Sequence, residues 1–308
     1  MLLSVIAVVD IGSNSVKVLV AKMQHGKMEE VHLDAETTSL ARGLPQTGEL
    51  STESRLLTLK TLERFHSKIK ELGVPTVKVL ATAAMREAKN GRSFAEEIKN
   101  IFQVPVDIIS GLEEAEISLA GAMTARPAHI PEKACLFADL GGASTEIGYS
   151  SPQKQLVSTS LGALKTHNAL GMGGHAISNS DWKKANDYVW SLLEQEIPAP
   201  IKDESTRRQC LIAVGGTIVM ATASLGLSPF MAACYQFKRQ DLENFADRLR
   251  KIDEVERCQI PHLKKDRADI LPFGIMVLTQ IMKYLGQENG ISTVRGLRHG
   301  YAQKILES

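Results

Sequence analysis

An apolar run ends in an aspartate and a turn of small and polar residues at Val8-Val9-Asp10-Ile11-Gly12-Ser13-Asn14-Ser15. The same pattern recurs at Phe137-Ala138-Asp139-Leu140-Gly141-Gly142-Ala143-Ser144. Asp139 follows Asp10 by 129 residues, which is too far for a solenoid repeat. The recurrence predicts a duplicated domain whose two halves face each other across a cleft.

Both turns have the composition of a phosphate-binding loop. Glycine allows positive φ or a close approach of the backbone to a ligand, and successive exposed N–H groups in a turn form an anion-binding concavity. One strand-Asp-Gly turn is more often a plain turn, but two matching turns favour phosphate or nucleotide binding. The predicted phosphate contacts are Gly12, Ser13, Asn14, Ser15, Gly141, Gly142, Ser144 and Thr145.

A third glycine turn occurs at Val214-Gly215-Gly216-Thr217, between a predicted strand and a predicted helix. The amides at the start of that helix are suited to an anion, which makes Gly215 a further candidate phosphate contact. A plain strand-to-helix turn capped by Thr217 explains the pattern equally well. The sequence leaves both interpretations open.

Composition limits the function classes. The 308 residues suggest two domains. The 36 basic and 35 acidic residues nearly cancel, which argues against a nucleic-acid partner held by overall charge. Four cysteines without a C-x-x-C pair predict reduced thiols in a cytoplasmic protein. The apolar runs fall short of the ~20 residues of a membrane span, so we expect no membrane partner.

The order of predicted elements supports an α/β fold with two domains. Ser51 or Thr52 is predicted to cap a helix that runs to Gly73, because apolar residues from Leu59 to Leu72 recur at steps of three and four. A loop-like segment at Thr124–Lys133 predicts a boundary between domains 1–125 and 126–308. Other predicted elements include strands at Ser4–Val9, Val16–Lys22, Glu29–Asp34, Ala134–Ala138 and Leu211–Val214, a helix at Ala268–Leu285 that Pro272 kinks or starts, and a final helix from His299.

Ordered motifs along most of the chain resemble the Ppx/GppA phosphatase family of exopolyphosphatases and guanosine pentaphosphate phosphohydrolases. The motif D-I-G-S-N-S stands at Asp10–Ser15, and a loop similar to D-I-G-G-G-S-T-E stands at Asp139–Glu146. The motifs between and after them resemble the family at Ala81–Asn90, Ile109–Ala115, Ser158–Ala163, Arg267–Asp269 and Gly296–Gly300.

The resemblance implies the actin-like ATPase (sugar kinase and chaperone ATPase) fold, with two ribonuclease-H-like domains and a cleft between them. It also implies that the final helix packs back on the first domain, in a short, two-domain form. Several positions depart from the family pattern, among them Ser39-Leu40-Ala41 in place of an R-L-G element. Ala143 replaces a glycine of the second loop, and Lys17 and Lys165 stand where many members have other residues. If position 143 needs positive φ, alanine costs about 1 kcal/mol there.

The family's mechanism carries over to named residues. The resemblance implies that Glu114 is the catalytic carboxylate that orients the attacking water or accepts its proton. A role for Glu113 and Glu114 in favouring the helix N-terminus is the alternative. Arg86 is a candidate phosphate clamp, with a structural ion pair as its alternative. Asp139 is the leading candidate ligand for Mg²⁺, or Mn²⁺ as the alternative ion, with Glu146 and Asp10 assisting.

The resulting functional hypothesis is an exopolyphosphatase that removes the terminal phosphate of inorganic polyphosphate in a Mg²⁺-dependent reaction. A guanosine pentaphosphate (pppGpp) 5′-phosphohydrolase on the same scaffold is the first alternative. A non-catalytic protein that binds an alarmone or nucleotide is the second, and it would follow if Ala143 abolishes hydrolysis. The sequence leaves a homodimer open.

Overall fold

The computed structural model describes residues 5–171, 175–227, 234–263 and 265–307. Ser4, at the start of the first predicted strand, lies outside these residues. The chain forms two compact units, Met1–Gly121 with Leu297–Ser308, and Ala122–Gly296. We call them the first and the second unit. In the described part of the chain, no helix combines the length and the apolar character needed to cross a bilayer.

The first unit is built on a five-stranded mixed sheet in the order β3-β2-β1-β4-β5. Strand β1 lies at its centre, antiparallel to β2 and parallel to β4. Its residues from Ile6 to Ile11 are buried throughout, as expected for a strand with both faces covered. The strands are β1 Val5–Ile11, β2 Ser15–Gln24, β3 Lys27–Thr37, β4 Thr76–Ala81 and β5 Val106–Ile108.

The second unit repeats this order in a six-stranded sheet. Its strands run β10-β11-β9-β6-β7-β8, so that β6 takes the place of β1 and β9 the place of β4. An antiparallel edge strand, β10, is added beyond β11. The strands are β6 Cys135–Leu140, β7 Thr145–Tyr149, β8 Gln155–Thr159, β9 Cys210–Val214, β10 Tyr235–Lys238 and β11 Asn289–Thr293. The predicted α/β class with two matching sheets is confirmed.

The helices of the first unit cover its sheet. Ser51 caps α2 by accepting a hydrogen bond from the Ser54 amide, as predicted. Leu62, Phe65 and Ile69 form its buried stripe. The helix ends at Glu71 instead of running to Gly73, and Leu72, the last apolar residue of the predicted series, is 37 % exposed. The helices are α1 Leu44–Thr47, α2 Thr52–Glu71, α3 Ala83–Glu87, α4 Gly91–Phe102, α5 Gly111–Met123 and, at the end of the chain, α14 Leu297–Leu306.

The helices of the second unit correct one predicted boundary. The helix predicted at Ala268–Leu285 begins at Leu271 and ends at Tyr284, and Ala268 is the last residue of a separate short helix. Pro272 occupies the first turn of the longer helix, which agrees with the predicted start there. Proline favours that place because its missing N–H is not needed there. The helices are α6 Ala163–Leu170, α7 Asn179–Glu196, α8 Ala199–Ser205, α9 Gly216–Ser224, α10 Arg239–Arg250, α11 Glu254–Arg257, α12 Lys265–Ala268 and α13 Leu271–Tyr284.

Helix α14 begins at Leu297, two residues before the predicted start, and belongs to the first unit. The Arg298 side chain is buried and donates from Nη1 to the carbonyl of Val18 at 3.0 Å and to that of Asp34 at 3.4 Å. A Cβ placed on Gly300 would lie 1.9 Å from the carbonyl oxygen of Ile117. This glycine is therefore required for the close approach of α14 to α5.

Candidate functional site

The two glycine-rich loops form the same turn in their respective units. The amide of Gly12 donates to the carbonyl of Ser15 at 3.1 Å, and the amide of Gly141 donates to that of Ser144 at 3.0 Å. A Cβ on either glycine would lie 3.0 Å from the oxygen that its amide contacts. The 129-residue recurrence in sequence thus corresponds to a repeated backbone geometry.

The carbonyl groups of both turns are bound by the segment that follows the third strand of their sheet. The Ala41 amide donates to the Ser13 carbonyl at 2.8 Å. At the equivalent place, the Lys165 amide donates to the Gly142 carbonyl at 2.9 Å. These bonds fix the peptide planes of each turn and occupy their acceptors from within the unit.

The amides at the tips of the two turns remain available to a ligand. Within the described residues, the amides of Ser13, Asn14, Gly142 and Ala143 donate to no protein acceptor. Backbone N–H groups are rarely left without an acceptor unless water or a ligand supplies one. Two adjacent donors in each turn are the arrangement that binds an anion such as phosphate.

Ala143 fits its turn without backbone strain. It is not among the described residues with positive φ, so the strain considered for this position does not arise. The residue is buried, and a Cβ on Gly162 would lie 2.4–2.5 Å from three of its backbone atoms. The glycine that this turn requires for packing is therefore Gly162.

The hydroxyl and carbonyl groups of Thr145 are hydrogen-bonded within the second unit. Its hydroxyl is buried and donates to the carbonyl of Leu161 at 2.5 Å. Its own carbonyl accepts from the hydroxyl of Thr159 at 2.9 Å. This geometry does not support the predicted phosphate contact of the Thr145 hydroxyl, and we leave it out of the proposed contacts.

The third glycine turn is a helix start. Gly215 is the residue before α9 and has φ 115°, and a Cβ there would lie 2.3 Å from the carbonyl oxygen of Leu140. Thr217 lies inside the helix, so the interpretation in which it caps α9 is wrong. A Cβ on Gly216 would lie 2.5 Å from Nη1 of Arg267, which places a guanidinium against the first turn of α9.

Two carboxylates stand opposite each other beside the second loop. Asp139 and Glu146 are cross-strand partners on β6 and β7. Glu146 is buried, and its Oε1 accepts from the hydroxyl of Ser158 at 2.8 Å. Opposed side chains of this kind lie on the same face of the sheet, about 5 Å apart.

This donor set fits the ion that the family implies. Mg²⁺ is usually held by one or two carboxylates, with substrate phosphates and water as its other ligands. The described residues contain no group of three or more His, Cys, Asp or Glu side chains arranged for a metal. Asp139 and Glu146 would supply the carboxylates of a Mg²⁺ site whose other ligands come from substrate and water.

Asp10 has a different partner in the first unit. Its cross-strand neighbour on β2 is Lys17, and Nζ of Lys17 lies 3.4 Å from Oδ2 of Asp10. The Asp10 side chain is 6 % exposed and that of Lys17 is 30 % exposed. The carboxylate predicted to assist a metal is therefore held in an ion pair.

The two adjacent glutamates at the start of α5 have different environments. The Glu113 carboxylate accepts from the Ser110 amide at 2.8 Å, while the Glu113 amide donates to the Ser110 hydroxyl at 3.2 Å. This capping box lowers the pKa of Glu113, chiefly through the backbone hydrogen bond. Glu114 instead contacts Arg86, whose Nη1 lies 3.5 Å from its Oε2.

Arg86 is oriented by the backbone as well as by Glu114. Its Nη1 donates to the carbonyl of Ile109 at 2.7 Å, and its side chain is 29 % exposed. The structure thus brings Arg86 and Glu114 together in the first unit. The ion pair considered as an alternative for Arg86 is present, and the partly exposed guanidinium still has donors to offer.

Two side chains of the second unit, His167 and Arg267, received no definite role from the sequence. His167 Nε2 lies 3.8 Å from Oδ2 of Asp269, and Arg267 lies at α9. No spacing rule links these positions, which the fold brings together. Lys17 was noted as a departure, but its partner was not predicted. The internal offset of 129 residues, which maps Lys17 onto Glu146, is the signal that could have found it.

Comparison with known proteins agrees with this geometry. A model of the Ppx/GppA phosphatase family matches residues 19–308. The chain is similar to a crystal structure of an exopolyphosphatase-like protein, with 22 % identity, a TM-score of 0.89 and 98 % and 99 % of the two chains covered. An exopolyphosphatase from Cytophaga hutchinsonii gives 20 % identity, a TM-score of 0.87 and 98 % coverage of both chains.

A member of the same family from Aquifex aeolicus gives 23 % identity and a TM-score of 0.77, with 99 % of this chain and 98 % of that chain covered. At such identities these likenesses show the fold, which is that of the actin-like ATPases. The family model spans nearly the whole sequence and includes the second of the two matched turns. The protein belongs to the Ppx/GppA phosphatase family.

Proposed function

We propose that this protein is an exopolyphosphatase, which hydrolyses the terminal phosphoanhydride bond of inorganic polyphosphate. The observation that carries the proposal is the repeated turn with two available amides at Ser13–Asn14 and at Gly142–Ala143. A polyphosphate chain presents identical anionic groups in series, so two anion-binding turns of the same geometry suit it. The similar structures, one named an exopolyphosphatase and one an exopolyphosphatase-like protein, support the same substrate class.

The proposed chemistry needs positioning and charge neutralisation more than covalent catalysis. Glu114 orients the attacking water and accepts its proton. Arg86 holds the Glu114 carboxylate at 3.5 Å and offers its remaining donors to phosphate oxygens. The turn amides bind the phosphates through oriented N–H groups that need no reorganisation during the reaction.

Asp139 and Glu146 are the proposed Mg²⁺ ligands, and the Ser158 hydroxyl orients Glu146. When bound, the ion would neutralise negative charge on the phosphates. Mn²⁺ suits the same oxygen ligands. Asp10 is not proposed as a direct ligand, because its carboxylate is paired with Lys17.

A substrate panel tests the proposal. Phosphate release is measured from long-chain polyphosphate and from pppGpp, each with Mg²⁺ and with excess chelator. The expected result is Mg²⁺-dependent release from polyphosphate, with kcat/KM above that for pppGpp. A higher kcat/KM for pppGpp would make pppGpp the proposed substrate in place of polyphosphate. No release from either compound would contradict the hydrolase proposal and favour a binding protein.

A further inference from the structure

The last turn of α7 carries a carboxylate that the helix itself does not favour. Glu196 is the final residue of α7, and the last turn contains no basic residue. The C-terminal end of a helix has a partial negative charge, so an acidic side chain there is locally unfavourable. A favourable contact outside the helix would offset this cost.

Glu196 makes such a contact with Ser160, which directly follows β8. The Ser160 amide donates to Oε2 of Glu196 at 2.5 Å, and the Ser160 hydroxyl donates to Oε1. One carboxylate thus accepts from the backbone and the side chain of a residue 36 positions away. Hydrogen bonds to an ionised group are shorter and stronger than those between neutral groups, so Glu196 fixes the position of this residue.

The segment after β8 is bonded to the second anion-binding turn. The Ala163 amide donates to the Gly141 carbonyl at 3.0 Å, and the Lys165 amide donates to the Gly142 carbonyl at 2.9 Å. Each peptide group is planar. The Gly141 carbonyl therefore sets the direction of the Gly142 amide, and the Gly142 carbonyl sets that of the Ala143 amide. These are the two amides that remain available to a ligand.

Two further contacts join the same segment to this turn. The Thr145 hydroxyl donates to the Leu161 carbonyl at 2.5 Å. A Cβ on Gly162 would lie 2.4–2.5 Å from three backbone atoms of Ala143, so the two backbones are in close contact. Since Leu161 and Gly162 directly follow Ser160, a shift of Ser160 would disturb both contacts.

We propose that Glu196 is a positioning residue that, through Ser160, holds the amides of Gly142 and Ala143 in the orientation that binds phosphate. The inference rests on the proposed function for the identity of the ligand. The effect of Glu196 reaches the turn through the backbone and concerns substrate binding. Its loss should therefore raise KM more than it lowers kcat.

Glu196→Gln in the full-length chain tests this role. Glutamine keeps one acceptor oxygen, but its NH₂ group cannot accept a hydrogen bond from Ser160. We expect KM for long-chain polyphosphate to rise by at least about 5-fold, with kcat within about 2-fold of the parent. The variant removes a negative charge from the C-terminal end of α7, which favours the helix, so a weaker helix would not explain the loss.

Amide hydrogen exchange without substrate gives a readout that does not depend on the reaction. The Ala163 and Lys165 amides should exchange faster in Glu196→Gln than in the parent. The Ala41 amide, which donates to the Ser13 carbonyl of the first turn at 2.8 Å, should keep its parental rate. Faster exchange at Ala41 as well would indicate a general loss of stability and would overturn the positioning role.

Glu194→Gln is the matched control. Glu194 lies in the same helical turn, and its Oε1 accepts from Nε1 of Trp190 at 3.0 Å. This variant makes the same change in net charge at the same helix end and leaves the contact between Glu196 and Ser160 in place. We expect its KM and its exchange rates to equal those of the parent.

Ser160→Ala is the second variant should Glu196→Gln fail to fold, with circular dichroism as the check. It removes the hydroxyl and keeps the amide, so we expect changes in KM and in exchange at Ala163 and Lys165 that have the same direction and a smaller size. Parental exchange at both amides in the folded variants would overturn the role of Glu196.

The remaining outcomes separate the two proposals. Faster exchange confined to the second unit, in a protein that releases no phosphate from polyphosphate, would contradict the proposed function and would still support Glu196 as the residue that positions the turn. A parental KM despite faster exchange would overturn the inference, because the turn would then bind substrate without this support. The same changes in Glu194→Gln would also overturn it, because charge at the helix end would then explain them.

Discussion

Nη1 of Arg86 lies 3.5 Å from Oε2 of Glu114, while the neighbouring Glu113 is bound to Ser110. The two glutamates occupy the same helical turn, yet one completes the helix cap and the other faces a guanidinium. Because Glu113 and Glu114 are adjacent and chemically identical, replacing one at a time separates the cap from the proposed catalytic role.

Glu114→Gln is expected to lower kcat for polyphosphate by at least ~100-fold, because an amide cannot accept the proton of the attacking water. Steady-state phosphate release measures the effect. Glu113→Gln is the matched control and should keep kcat near that of the parent, since glutamine also completes a capping box. Equal losses in both variants would contradict a catalytic role for Glu114.

Arg86→Lys is expected to lower kcat/KM by ~10-fold or more, although it keeps the charge. Lysine lacks the planar fork that can contact the Ile109 carbonyl, Glu114 and phosphate oxygens together. Pre-steady-state phosphate release would show whether binding or turnover is affected. An unchanged kcat/KM in Arg86→Lys would mean that Arg86 contributes only its positive charge.

Ala143→Gly, which restores the residue typical of the family, is expected to leave kcat almost unchanged. Ala143 has no positive φ to relieve, and the added glycine should reduce stability by about 0.5–1 kcal/mol through backbone entropy. Gly162→Ala is the contrasting variant and should disrupt the turn, because its Cβ would meet the Ala143 backbone. A large gain of activity in Ala143→Gly would mean that alanine does impair the loop.

Arg298→Met is expected to destabilise the protein by about 1.5–3 kcal/mol, the usual contribution of hydrogen bonds to a charged group. The change removes the contacts of α14 to the carbonyls of Val18 and Asp34. Urea unfolding followed by circular dichroism measures the loss. If stability stays at the parental value and kcat falls, Arg298 acts on the substrate instead of on the fold.

The capping box predicts a specific acid sensitivity. The Ser110 hydrogen bonds hold the pKa of Glu113 below its ordinary value, so the folded state favours the carboxylate. The resulting stabilisation is present above the unfolded-state pKa and is lost as pH falls through the folded-state pKa. Glu113→Gln should therefore reduce the difference in urea midpoint between about pH 6 and about pH 3.5. An identical difference in both proteins would contradict the assignment.

Local sequence signals were sufficient for most of the fold. The Asp10 and Asp139 turns, the Ser51 cap and the central strands were predictable because glycine content, capping side chains and apolar periodicity act within a few residues. Short elements such as α3 and β10 were not, since so few residues carry little periodic signal and their formation depends on tertiary packing.

The candidate site depended more on tertiary structure. The sequence identified Glu114 and Arg86 separately through the family motifs, but their 3.5 Å contact joins residues that are 28 positions apart, on α3 and α5. It likewise identified Thr145 as a hydroxyl donor without showing that the Leu161 carbonyl, 16 residues away, uses that donor.

The sequence by itself determined that the chain repeats one strand–turn–strand unit, because the residues of each hairpin are contiguous and their turn chemistry is local. Tertiary structure decided that the matched positions 17 and 146 face Asp10 and Asp139. The cross-strand register makes them partners. It places Lys17 opposite Asp10 as an ion pair and Glu146 opposite Asp139 as a pair of carboxylates, and these contacts depend on how the strands align.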